Sequence, residues 1–197
     1  MLDLPKSTAF GRIIPKDRLY KNGGANREVQ EIFAGQVERV RWQNKISPDT
    51  MNIGIGTAVT EIEVVEVIQS VETLDHRILP LIAKAIPYKL LFVLSYKGGM
   101  SYSVCYNSTT YTGNAAPRLL GNNLEAVWEN FVRQVAGFAE DGTALAEQAE
   151  SAQLHEKLQR RIEQLERQAR TEKQPRRKFD LVQEANALKM ALKGLST

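Results

Sequence analysis

The stretch "YKLLFVLSYKGGMSYSVCY", residues 88–106, decides how this chain is read. Leu90 to Leu94 form an unbroken apolar run of strand length, Lys97-Gly98-Gly99 supplies a tight turn, and Met100 to Tyr106 return along it. Two strands about a glycine turn make a β-hairpin. The continuous apolar character of its first strand places the hairpin in the middle of a sheet.

Upstream, "TEIEVVEVIQS" (60–70) alternates with period two: Ile62, Val64 and Glu66 point one way, Glu61, Glu63 and Val65 the other. This pattern predicts a strand with one buried face and with Glu61 and Glu63 towards solvent. Between the two, Leu74, Ile78, Leu81, Ile82 and Ala85 recur at helical spacing, with Pro80 early in the helix and Pro87 ending it. Further upstream, Val29, Ile32, Phe33 and Val37 share a helical face behind the N-cap residue Asn26, and the helix weakens at Gly35. "VERVRWQNKI" (37–46) follows as a strand with Val40 and Trp42 on one face, and "SPDTMNIGIGTA" as a loop. The first 25 residues, punctuated by Pro5, Pro15 and "KNGG", read as an extended arm and a turn. Downstream of the hairpin, residues 107–123 hold a weak strand or a loop. A helix capped by Asn123 then buries Leu124, Val127, Trp128, Phe131 and Val135.

These elements predict an α+β fold: a small mixed or antiparallel sheet with helices packed on one face, over residues 1–140. Asp141-Gly142 opens a linker, 141–152, and residues 153–197 form a C-terminal α-helical hairpin or coiled coil. In this tail, Leu158, Ile162, Leu165 and Ala169 recur at heptad spacing, as do Leu181, Ala185, Leu188, Leu192 and Leu195. Pro175 interrupts the helix between the stripes and favours a fold-back. A two-helix hairpin buries too little apolar surface to offset the ordering of some forty residues. The stripe residues Leu158, Ile162, Leu165, Leu181, Leu188 and Leu192 are therefore expected to meet another surface: a larger protein as partner, a second copy of the chain, or the chain's own head domain.

Charge is divided unevenly. Residues 151–197 carry eleven Lys and Arg against six Asp and Glu, so the tail is +5 and residues 1–150 are −2 within a formal total of +3. The knot "KQPRRK" sets Arg176, Arg177 and Lys178 at the positive end of the second tail helix, an unfavourable place for cations unless an anionic surface compensates. In the head, "RVRWQNKI" interleaves Arg39, Arg41 and Lys45 with Trp42, the combination that neutralises phosphates and stacks on bases. DNA is thus an expected ligand of both segments. A solvated, merely solubilising set of cations is the plainer alternative.

Neither a catalytic residue nor a metal or cofactor site is expected. Glu61, Glu63 and Glu66 with Lys97 would suit a metal-dependent nuclease only if they converged, and alternation turns Glu61 and Glu63 outward. His76 and His155 are isolated, Cys105 sits within a strand as a small hydrophobe, and "NIGIGTA" lacks a dinucleotide fingerprint. A lone cysteine, the absence of a signal-peptide core and apolar runs shorter than a membrane span predict a cytoplasmic protein that does not cross a membrane.

The segments "LPKSTAFGRIIPK", "VERVRWQNKISPDTMNI" followed by "TEIEVVEV", "AIPYKLLFVLSYKGG" and "IEQLERQARTEKQPRRKFDLVQEANALK" carry a resemblance. Through them, nearly the whole chain resembles bacterial domain-of-unknown-function family 4391. Members of that family are typically encoded beside restriction-type DNA methyltransferases and helicases. The resemblance therefore implies a non-enzymatic accessory subunit in restriction-modification or anti-phage defence, with a methyltransferase or helicase as the larger partner. It supplies no catalytic residues.

Overall fold

The computed structural model describes residues 2–194, and the chain divides into two compact units, 1–141 and 142–197. The first contains β1 (Ala9–Ile13), α1 (Lys16–Gly23), α2 (Arg27–Gln36), β2 (Val37–Ile46), β3 (Ile62–Gln69), α3 (Ile78–Ala85), β4 (Lys89–Tyr96), β5 (Gly99–Tyr106), β6 (Thr109–Gly113) and α4 (Leu124–Ala136). The second contains α5 (Leu145–Thr171) and α6 (Pro175–Gly194).

The six strands lie in the order β1-β2-β3-β4-β5-β6. All neighbours are antiparallel except β3 and β4, which run parallel because α3 carries the chain back across the sheet between them. The sheet is therefore mixed and the class α+β. β4 and β5 are the hairpin read from residues 88–106, and its two-residue turn has Lys97 at φ 45° and Gly98 at φ 83°. Two left-handed residues match the twist of the strands they join, and glycine at the second removes the steric cost. Asn107 and Ser108, also left-handed, turn β5 into the edge strand β6.

Helices cover both faces, not one as the sequence suggests. On one face Leu19 of α1, Phe33 of α2 and Ile78, Leu81 and Ile82 of α3 form a core with Val40, Val65, Val67, Leu90, Phe92 and Leu94. The intervening residues Leu91 and Val93 are also buried, on the side where α4 packs against β5 and β6 and where Lys89 lies over the Trp128 ring. A strand that is apolar at every position needs such double cover.

The caps are as read: Asn26 accepts a hydrogen bond from the Val29 amide at 2.9 Å and Asn123 from that of Ala126 at 2.8 Å. The N-terminal segment is not an arm. It forms β1 on the edge of the sheet, then α1, whose Leu19 is buried and whose Tyr20 meets Phe33 edge to face at 5.3 Å. Gly23 permits the close approach of α1 to α3, since a Cβ there would stand 2.7 Å from Leu81 Cδ1. Residues 145–152, read from sequence as linker, are the first turns of α5; the stretch has one bulky apolar residue, the buried Leu145, but is rich in strong helix formers.

Candidate functional site

Two places in the molecule carry side chains that the fold does not explain: the last helix of the tail and the start of β3. In the tail, Glu172–Gln174 separates α5 from α6, and Pro175 opens α6, where its missing N–H is no loss. The two helices pack on each other and are tied by Arg161 to Glu184 at 2.8 Å and Lys189 to Glu166 at 2.6 Å. Ile162, Leu165 and Ala169 of α5 and Ala185 of α6 are buried, all of them on the heptad stripes. Leu158, Leu181, Leu188 and Leu192 are half-buried, and Leu195 lies outside the described residues. The stripe is thus already partly covered within the tail.

A second set of apolar side chains remains outside. Phe179 is 61% exposed, Val182 42% and Met190 77%. At 3.6 residues per turn Phe179 and Met190 fall about 20° apart and far from Ala185 and Leu188, while Val182 stands about 60° from Phe179 on one side and about 60° from Ala185 on the other. Matching the tail to a heptad template collected one seam and left this one unassigned, although its spacing is plain in the sequence. Cations flank it. Arg176, Arg177 and Lys178 are exposed in the first turn of α6, which contains no acidic residue, and no carboxylate lies within ion-pair distance of them among the described residues.

The head segment does not form the predicted nucleic-acid patch. A bulge between Trp42 and Asn44 shifts the register of β2, so Arg41 lies opposite Glu66 while Lys45 lies opposite Glu63, on the other face of the sheet. Arg41 approaches Glu66 at 3.6 Å and Lys45 bonds Glu61 at 2.6 Å. The Trp42 ring packs on Phe10 with centroids 4.2 Å apart and its Nε1 donates to the Asn44 carbonyl. Arg39 alone of the four is exposed.

The same register brings Lys45, Glu61 and Glu63 together, against the expectation that both glutamates face solvent. Glu63 is 1% exposed and Glu61 9%, because they precede Val65 and Val67 on the face that the first three helices cover. Burial, with the Glu61 carboxylate beside it, pushes the Glu63 carboxyl from 4.5 up to about 8, while Lys45 opposes the shift. The hydrogen bond to Glu61 raises the Lys45 ammonium in turn. A pocket of about 320 Å³ adjoins the cluster, lined by Thr60, Glu61, Ile86, Tyr88 and Lys89 among others.

Other candidates fall away. Lys97 sits in the β4–β5 turn, at the far end of β4 from Lys89, whose register partner is Ile62, so it cannot reach Glu63. The His76 side chain is 88% exposed beside Asp75, and the Cys105 thiol is raised by burial and bonded to Thr110. Among the described residues, no group of three or more His, Cys, Asp or Glu side chains is placed to hold a metal ion, and no helix is long and apolar enough to cross a membrane.

The family described as "Domain of unknown function (DUF4391)" matches residues 2–111 and 107–192. No curated protein and no solved structure matches the chain. The two matched segments together span nearly its full length, and the chain belongs to this family.

Proposed function

We propose, with membership of that family as the premise, that the protein is a non-enzymatic accessory subunit that docks through α6 onto a larger protein. One observation carries this reading: in a 20-residue helix only Ala185 is buried, while Phe179, Val182 and Met190 stand in solvent on a common side. Covering such side chains contributes about 1.5–3 kcal/mol each when burial is complete. The flanking cations define the occupant as a surface that is apolar at its centre and acidic at its rim. A second copy fits poorly. In a parallel self-pair the exposed Arg176, Arg177 and Lys178 of one copy would stand against those of the other.

The neighbourhood implied by the family resemblance supplies the partner class, a restriction-type DNA methyltransferase or a helicase in a bacterial defence complex. The test is co-expression with the methyltransferase and helicase encoded beside it. The parent chain is expected to co-purify stoichiometrically with one of them, and the triple variant Phe179→Asp, Val182→Asp, Met190→Asp to lose it while the head keeps its melting temperature. Failure of the parent to bind either protein, or equal binding by the variant, overturns the reading. So does a homodimer that the variant dissociates.

Direct DNA binding is the second reading, favoured by the uncompensated Arg176, Arg177 and Lys178. It requires a gel shift that weakens steeply with salt.

A further inference from the structure

We propose, resting on the docking role given to α6 above, that the partner supplies an acidic amphipathic helix, which lies in a groove between α5 and α6 as the third helix of the hairpin. The groove has a volume of about 290 Å³. Its floor is apolar and low: Ala169 and Ala185 are buried between the helices, and their small side chains leave a hollow that a large apolar side chain of an incoming helix can enter. Val182, 42% exposed, lines the groove from α6, and Phe179 and Met190 stand beyond it on the outer side of the same helix.

Backbone chemistry selects a helix. No strand edge borders the groove, so the occupant must bring its own backbone hydrogen bonds already made, and an α-helix does so. Helices seat in such grooves through side chains at i, i+3, i+4 and i+7. From Lys178 to Met190 α6 advances about 18 Å, which about three turns of an incoming helix would cover.

Charge selects the polar flanks of that helix. Arg170 and Lys178, both lining the groove near the hairpin turn, are exposed, and neither is ion-paired among the described residues. Further along, Lys189 is already neutralised by Glu166 at 2.6 Å. The acidic residues of the occupant are therefore concentrated at one end, opposite Arg170 and Lys178. A second cavity beside the hairpin turn is larger, about 640 Å³, but suits no such helix. Leu181 is the one apolar residue in its lining, and Glu172 and Asp180 match Lys173 and Arg177 in number there.

The probe is a fluorescein-labelled peptide of about 18 residues, with leucines at the spacing given above and glutamates flanking one end of that stripe. A control peptide carries lysine in place of each glutamate. Anisotropy titration with the full-length chain should show one saturable site for the acidic peptide, which gains helicity in circular dichroism on binding, and none for the control. Val182→Asp, at an exposed position outside the buried α5–α6 seam, should abolish binding. Arg170→Glu together with Lys178→Glu should weaken the acidic peptide by about tenfold or more and admit the lysine peptide. Absence of saturable binding, equal binding of the two peptides, or binding untouched by Val182→Asp overturns the proposal. So does a parent dimer in sedimentation that Val182→Asp dissociates, because the groove then holds a second copy. If the acidic peptide binds while neither neighbouring protein co-purifies, the groove stands and the partner class falls. Co-purification without peptide binding overturns the groove and leaves the docking role.

Discussion

β4 and α6 are both rich in large apolar residues, and the molecule treats them in opposite ways. In β4 every side chain from Leu90 to Leu94 is buried, because helices close over each face of the sheet. In α6 one alanine is buried, and Phe179, Val182 and Met190 stay exposed. The head is complete in itself, to the point that a glutamate on β3 is enclosed with the valines. The tail has one covered seam and one open seam. Apolar content is therefore a poor guide to stability here. What matters is whether the chain supplies a second surface to cover each apolar face.

The largest expected effect tests the complete side of this contrast. Phe92→Ala empties a fully buried site between β4 and the helices, and should cost about 3–5 kcal/mol in chemical denaturation of the head. Met190→Ser, at the most exposed of these positions, should leave stability within about 0.5 kcal/mol of the parent. Similar losses from the two would mean that the open seam is covered by the protein itself.

The next effect depends on pH. In the unfolded chain the Glu63 carboxyl ionises near its ordinary 4.5, whereas in the folded protein it keeps its proton up to about 8. The folded state therefore holds the extra proton between these values. Stability should fall as pH rises from about 4.5 to 8 and level off above. Glu63→Gln should remove that slope, and it should be the more stable variant at the alkaline end. A flat parent curve over the same range would mean that Glu63 titrates as in the unfolded chain, in contact with solvent.

Smaller still is the loss of a cap. Asn123→Ala removes the acceptor for the Ala126 amide at the start of α4 and should destabilise the head by about 1 kcal/mol, measured by its denaturation midpoint.

The smallest effect on stability belongs to Arg176, Arg177 and Lys178. Replacing all three with Ser should leave the melting temperature nearly unchanged, because no described carboxylate pairs with them and their removal relieves the positive end of α6. The same variant should weaken engagement of an acidic partner or of DNA and flatten its dependence on salt. Parent-like binding at physiological salt would leave the knot as a solubilising tip.

Local chemistry sufficed for much of this molecule. The hairpin of β4 and β5 follows from an apolar run and a Lys-Gly turn, the starts of α2 and α4 from Asn26 and Asn123, the end of α3 from Pro87 and the break in the tail from Pro175. Each of these signals acts within a few residues, so the order of the chain exposes it directly. The exposed seam of α6 was equally legible as spacing, but only the pairing with α5 showed which of two apolar sides is covered.

The surroundings of Glu63 were decided by tertiary structure alone. Alternation marks the side of a strand on which a residue lies, but whether that side meets water depends on the strand's neighbours and on the helices laid over them. β3 became interior when α3 returned the chain parallel to it, and the side carrying Glu61 and Glu63 came to lie under the first three helices. A single bulge in β2 likewise separated Arg41 from Lys45 and gave each a different glutamate. Both outcomes arise from contacts between residues distant in sequence, where periodicity carries no information.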